Sequence, residues 1–433
     1  MISKPLQRLL KNREALQVLM FSGIGAIFSL LSNRLLTEVA TPSELGKLYL
    51  LLNLTLWIII PTSSSYLYIV HNWPVAIKNN LTHWFLKRII YALFIQSWLS
   101  IIICWILYHF QLFEVSSVKI ALCVCLMAIF QALFQTFYSI PTSERRRVLA
   151  GILDWMNTFG RPLFLSLGVL FAGESSLNAL LNAQTIHSLS AGVLASSFFY
   201  LLLKQRKASH SGKTGFELLS FNSYKNFFLP TFFTTIIAQA AASAERWGLA
   251  QHSDTSSTAI FVQAIGLSLA VAGVINSILM GYFYPIITQS AAESVDSPLK
   301  SAWKPVIQFL KLSVFFYIIM ALFGFLFSRI LTPLLFGAKF LNVESILPIT
   351  LLGTAVMGLT QTITIPIYTA RDALSPNVAK TISLSVYLTL LLLTPKHLAT
   401  PINYAWIYTG SQFLFLLLVS LSFRMHAKAA SRI

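Results

Sequence analysis

Runs of about 20 apolar residues, the length a helix needs to cross a bilayer, recur from Ala15 to Phe423 with only short polar breaks between them. A chain so built has lipid as its main solvent, where each run must satisfy its own backbone polar groups as a helix. Composition agrees: 56% of the residues are hydrophobic and 10% charged, against about 25% charged in a water-soluble domain. Hydropathy places spans at 15–37, 46–70, 89–110, 118–140, 155–173, 178–203, 227–250, 258–285, 306–329, 345–368, 378–394 and 403–423. The expectation is an all-α integral membrane protein of about twelve transmembrane helices, with no soluble domain.

The breaks set the orientation, because Lys and Arg are retained on the cytoplasmic side. Of the 31 basic residues, 22 fall in the breaks on the side of the N-terminus and only Lys47, Lys119, Arg329, Lys339 and Lys396 on the other. Both termini are therefore expected in the cytoplasm. A missed span would invert the count downstream, so an even number is favoured. The net charge of +17 alternates from loop to loop instead of gathering on one face, which argues against a nucleic-acid partner. The basic start is followed by an apolar run too long for a secretory signal and lacking a cleavage site, so the first span reads as a retained anchor.

The longest polar stretch, KQRKASHSGKTGFELLSFNSYKN at 204–226, divides the chain into six-helix halves at 1–203 and 227–433. The halves carry traces of a repeat. Gln135-Thr136 ends the fourth span with Pro141 and Arg145 behind it, and Gln361-Thr362 ends the tenth with Pro366 and Arg371. Arg34 and Arg246 occupy matching places near the outer ends of the first and seventh spans. Internal repeats of this kind are common in transporters.

Enzyme chemistry is not expected. No metal-ligand, nucleophile-elbow or dinucleotide pattern occurs, and Ser211-Gly212-Lys213-Thr214 has Lys207 where a phosphate-binding loop needs its first Gly. The eight histidines are scattered, and Cys104, Cys123 and Cys125 fall inside spans, where they read as packing residues. No cofactor or metal is implied.

The intramembrane polar groups are the local clue, since Arg at a helix centre costs about 2.5–3.5 kcal/mol on insertion scales. On the seventh span Thr231, Thr235, Gln239, Ala242 and Arg246 form one polar face. On the first, Ser22, Ala26, Ser29 and Asn33 suit either close helix packing or a cavity wall. Arg34 and Arg246 have two readings. They snorkel to the outer interface, Arg34 pairing with Glu38 four residues on, or they face a cavity and grip an anion, for which planar guanidinium donors suit phosphate oxygens. Glu245 is the one carboxylate placed firmly inside a span, an ion-coupling site for a proton or sodium, or a counter-charge to Arg246. The prolines Pro61, Pro141, Pro285 and Pro366 read as bending points or helix ends.

Three stretches carry a family likeness: NRLLTEVATPSELGKLYLLL after the first span, SAERWGLAQHSDTSSTAIFVQA at spans seven and eight, and LTPLLFGAKFLNVESILPITLLG, where Leu335-Phe336-Gly337 precedes span ten. Together they resemble the oligosaccharide flippases of the multidrug/oligosaccharidyl-lipid/polysaccharide exporter superfamily. Glu245 stands where many relatives have Asp, and Ala259-Ile260-Phe261 where they often have Gly before Tyr. The resemblance implies two six-helix bundles around a central cavity in the bacterial cytoplasmic (inner) membrane. It also implies a polyprenyl-diphosphate-linked oligosaccharide, an O-antigen or other surface polysaccharide repeat unit, moved from inner to outer leaflet as in lipopolysaccharide assembly, with polysaccharide polymerase machinery as a partner. On that reading Arg34 and Arg246 contact the diphosphate or acidic sugars, and Asn33, Gln135, Gln239 and Gln361 face the sugar.

The alternatives are an ion-coupled drug or metabolite exporter of the same superfamily, which would bind cations through cavity carboxylates, and a major-facilitator transporter. The latter lacks its usual glycine- and basic-rich loop in HNWPVAIKNNLTHWFLKR. A membrane polymerase or ligase would need a larger outer loop.

Overall fold

The structure is a computed structural model of the chain and describes residues 13–78, 81–112, 115–143, 147–158, 160–204, 221–292, 298–369, 372 and 374–432. All regular elements among these are helices. They are α1 (Arg13–Val39), α2 (Pro42–Ile58), α3 (Ile60–Lys78), α4 (Thr82–His109), α5 (Val118–Ser143), α6 (Arg147–Thr158), α7 (Gly160–Ala172), α8 (Leu177–Lys204), α9 (Phe221–His252) and α10 (Thr255–Ala292). The short α11 (Pro298–Ser301), then α12 (Trp303–Phe336), α13 (Val343–Thr369), α14 (Leu374–Leu393) and α15 (Pro401–Arg432) complete the chain. With α2 and α3 counted as one broken run, and α6 and α7 as another, the described residues hold twelve long helical runs, one for each expected span. Eight of the helices are long and apolar enough to cross a membrane. The protein is a multi-pass all-α membrane protein.

Local chemistry fixes several boundaries. Thr41 caps α2 by accepting from the Glu44 amide at 3.4 Å, with Pro42 in the first turn, where its missing N–H costs nothing. Gly337 ends α12 at φ +70°, a conformation that favours glycine. The second run breaks at Ile59, two residues before Pro61, and helix resumes as far as Lys78. Pro61 thus marks a break within the run. Pro141 and Pro366 likewise lie inside α5 and α13, each with helix continuing beyond it. Of the basic clusters that set orientation, Lys4, Arg8, Lys11, Arg145, Arg146, Arg371 and most of the linker lie outside the described residues.

By backbone contacts the chain divides into two compact units: Val39–Gln239, and Met1–Glu38 with Ala240–Ile433. The grouping places α1 with the C-terminal helices and the first half of α9 with the N-terminal ones. Within the Val39–Gln239 unit, α5 is the hub, packed on α8, α3 and α4, while α7 leans on α8. Gly192 of α8 allows the close approach, since a Cβ there would lie 2.8 Å from the Phe130 carbonyl oxygen. Trp73 is buried between Phe85 and Phe199 at centroid distances of 6.1 and 6.0 Å.

The other unit repeats the scheme. Its hub is α13, packed on α15, α12 and α10, with α14 on α15. Gly358 makes room for the ring of buried Tyr317, whose nearest atom would lie 2.2 Å from an added Cβ, and Gly353 does so for Tyr408 and Thr409. Ser268 and Thr350 share a buried hydrogen bond of 2.9 Å between α10 and α13. The sides of both units away from the hubs are apolar and exposed, as at Phe94, Trp98, Phe171, Leu326 and Leu393. Exposed hydrophobic area on this scale belongs in lipid.

Candidate functional site

Glu245 is the one buried carboxylate among the described residues, 7% exposed, on α9. It accepts a short hydrogen bond from the hydroxyl of Tyr387 on α14. Tyr408 of α15 lies edge-on to Tyr387 at 6.2 Å, and its hydroxyl meets Thr354 of the hub at 3.4 Å. Tyr404, one turn before Tyr408, presents its hydroxyl to Gly248, where a Cβ would lie 2.6 Å away. A carboxylate surrounded by phenols and away from bulk water is costly to leave uncompensated.

Arg34, near the end of α1, forms an ion pair of 2.6 Å with Glu38, the expected partner. Its side chain is 32% exposed, so the pair itself contributes little, about 0–1 kcal/mol. The Nη1 atom, however, is buried and meets no acceptor. It presses on Gly337, where an added Cβ would lie 1.9 Å from it, so the absence of a side chain at 337 is what admits the guanidinium. Lys339, two residues on, donates to the Glu38 carbonyl at 2.6 Å. The turn Leu335-Phe336-Gly337 is thereby a docking place for the end of α1.

The two glutamines of the repeat behave alike. Gln135 of α5 accepts at Oε1 from the Ser63 hydroxyl of α3 at 2.8 Å. Gln361 of α13 accepts at Oε1 from Asn276 of α10 at 2.8 Å, and Asn276 in turn accepts from the Tyr317 hydroxyl at 2.7 Å. Each glutamine thus ties its hub to the second helical run of its half. Gln239 is buried and donates to the Asn53 carbonyl at 3.0 Å, which makes it a brace between α9 and α2. Arg246 is half-buried, and its carbonyl accepts from Thr258 at 3.2 Å. Asn33 is half-buried, with its carbonyl accepting from Thr37 at 3.1 Å. Arg34, Arg246 and Glu245 fall in the same compact unit.

Sequence reasoning missed the partners. Tyr387, Asn276 and Tyr317 stand in apolar runs with no motif around them, and Ser63 lies in the Pro/Ser-rich stretch Pro61-Thr62-Ser63-Ser64-Ser65, which reads as a bending point or helix end rather than as a partner for Gln135. Only Tyr404 and Tyr408, four apart and so on one helical face, carried a readable signal.

No protein-family profile matches the sequence, and no curated protein matches it by sequence alone. Solved structures do match in fold. The lipid II flippase MurJ in an inward closed conformation superposes with a TM-score of 0.62 at 14% identity, over 94% of this chain and 87% of that one. A Vibrio cholerae MATE transporter, VcmN in its bent form, gives 0.61 at 14% identity over 98% and 99%. An inward-facing multidrug resistance MATE family transporter of the MOP superfamily gives 0.61 at 11% over 93% and 96%. The chain has the fold of these transporters along nearly its whole length.

Proposed function

We propose that the protein is a flippase of the inner membrane that moves a polyprenyl-diphosphate-linked oligosaccharide to the outer leaflet by alternating access. The observation that carries the reading is Arg34. A guanidinium near the end of α1, 32% exposed and with donors beyond those that its Glu38 pair uses, suits a phosphate or acidic-sugar oxygen. The fold shared with a lipid II flippase supports it, as does the scarcity, among the described residues, of buried carboxylates that a cation exporter would use. A sugar headgroup and two phosphates cannot cross hydrocarbon unaided, and a polar cationic path lowers that barrier without covalent chemistry. Arg246 is the second anion contact, with Asn33, Gln135, Gln239 and Gln361 as sugar-facing donors. The substrate is an O-antigen or similar repeat unit, handed on to polymerase machinery.

The termini are assigned to the cytoplasm on the distribution of Lys and Arg. The halves 1–203 and 227–433 are assigned as the evolutionary repeat, a reading supported by the equivalent hubs. Glu245 is assigned as the coupling site for a proton or sodium. The same cluster favours a second reading, an ion-coupled exporter, because MATE transporters share the fold equally well.

Complementation separates the two. In a bacterium deleted for its own O-antigen flippase and supplied with the cognate sugar pathway, wild type should restore surface polysaccharide. Arg34→Ala and Arg246→Ala, at equal membrane levels, should not. Failure of the wild type, together with raised drug resistance, would establish the exporter instead. Glu245→Gln should abolish dependence of transport on the ion gradient; unchanged dependence would remove the coupling assignment.

A further inference from the structure

The Val39–Gln239 unit contains an apolar groove of about 500 Å³ between α3 and α4, with Thr136 of the hub behind it. It lies beside the break in the second run. Helix stops at Ile58 and restarts at Ile60, and Gln96 of α4 donates to the Ile58 carbonyl at 2.7 Å, pinning α4 to the break. Beside that pin the two helices leave a trough walled by Ile69, Phe85, Ala92 and Ile95. Its outer lip, Tyr91 and Leu99, is 66% and 41% exposed, so the trough opens on the apolar exposed face of α4 that also carries Phe94 and Trp98.

One end of the trough carries a charge. Arg88 lines it, with the guanidinium stacked over the Trp84 ring at 3.7 Å. Trp beside Arg is the side-chain pairing of a membrane–water interface. From Arg88 to Leu99 the helix rises about 16 Å at 1.5 Å per residue, close to half of the roughly 30 Å hydrocarbon core. The groove therefore has the length of one leaflet, a mostly apolar wall in which Thr62, Ser65, Gln96 and Thr136 are the polar members, and a phosphate-matching cation at the headgroup level.

We propose that this groove binds an anionic glycerophospholipid, with one acyl chain along α4 and the phosphate on Arg88. A peptide would leave backbone groups unsatisfied against such a wall, and a zwitterionic head brings an ammonium that offsets the attraction. An isoprenoid chain longer than one leaflet would overrun the far end at Leu99. On the orientation proposed above, the leaflet is the cytoplasmic one. The site is separate from Arg34 and Glu245, so it stands whether the transported substrate is a lipid-linked sugar or a drug.

The test is native mass spectrometry of the full-length protein after incubation with equimolar phosphatidylglycerol, phosphatidylcholine and polyprenyl phosphate. Wild type should retain phosphatidylglycerol about tenfold over phosphatidylcholine, the effect of one charge-assisted contact. Arg88→Gln should lose that preference. Ala92→Trp, which fills the groove, should lose adducts of both phospholipids, while Leu170→Trp, the same bulk on another lipid-exposed face, should keep them. Equal retention of the two phospholipids by wild type would overturn the proposal, as would an unchanged preference in Arg88→Gln. Stronger retention of polyprenyl phosphate, lost in Ala92→Trp, would overturn it too and assign the groove to the tail of a polyprenyl lipid.

Discussion

The two bundles share a scaffold and differ in chemistry. Each is built around one buried hub, α5 in the first and α13 in the second, and the most apolar stretches of these helices are 56% and 67% buried, against 22% for α12. Each hub has a glycine contact with a neighbour and a glutamine whose Oε1 is held by the second run of its half. Among the described residues the bundle around α13 holds a buried carboxylate, and the one around α5 has a broken second run with an apolar groove beside it. The lesson is that the two bundles agree in their hub contacts and differ in the helices around them.

The comparison is tested hardest at the glycines. Gly358→Leu drives a side chain into Tyr317, and Gly192→Leu drives one into the Phe130 backbone. Overpacking costs about 1–3 kcal/mol and more where backbone must move. Both variants should lose the monodisperse peak in fluorescence-detected size-exclusion chromatography or melt far below wild type. If Gly192→Leu is tolerated while Gly358→Leu is not, the hubs are not equivalent.

That outcome bears on how far the sequence could be read. The twelve spans were legible because each is set by a local property, a run of apolar residues long enough for the bilayer. The like placing of Gln135 and Gln361 was legible in their shared spacing to a following arginine. Hub packing was not, because Gly192 and Gly358 are two of 19 glycines, and only the approach of another helix tells them apart. The Arg34–Glu38 pair was readable as an i, i+4 spacing. The orphaned Nη1 on Gly337 depends on a turn some 300 residues away.

The difference in chemistry is tested at Tyr387. Replacing it with Phe removes the donor to Glu245 and leaves a buried acid unsatisfied, at a cost of about 1–3 kcal/mol. The melting temperature should fall, and Glu245→Gln in the Tyr387→Phe background should recover part of the loss. No recovery would mean that Tyr387 acts through packing and not through the carboxylate.

A smaller effect is expected from the glutamines. Gln135→Ala and Gln361→Ala each remove one acceptor, worth about 0.5–1.5 kcal/mol. They share no partner, so the double variant should show the sum within about 0.5 kcal/mol. A coupling clearly larger than that would show that the two hubs communicate.

The smallest effect is at the start of α14, outside the membrane-spanning segments. Asp372 accepts from the Leu374 and Ser375 amides at 2.9 and 3.0 Å and from the Ser375 hydroxyl, with His426 at 3.4 Å. Partial burial pushes its carboxyl up, but the hydrogen bonds from Ser375 and Leu374 and the charge of His426 hold it below its ordinary value of 3.8. With a depressed folded value, the stabilisation is fully present above the unfolded pKa and is lost as the pH falls through the folded one. Asp372→Ala should therefore cost about 1 kcal/mol at neutral pH, as loss of a helix cap does, and less at about pH 2, where protonation weakens the cap. The first bundle has no such acid cap at the start of α8, where Ser176 serves with its hydroxyl at 3.3 Å from the Ala179 amide. Ser176→Ala should lower the melting temperature equally at both pH values, because a hydroxyl cap does not titrate.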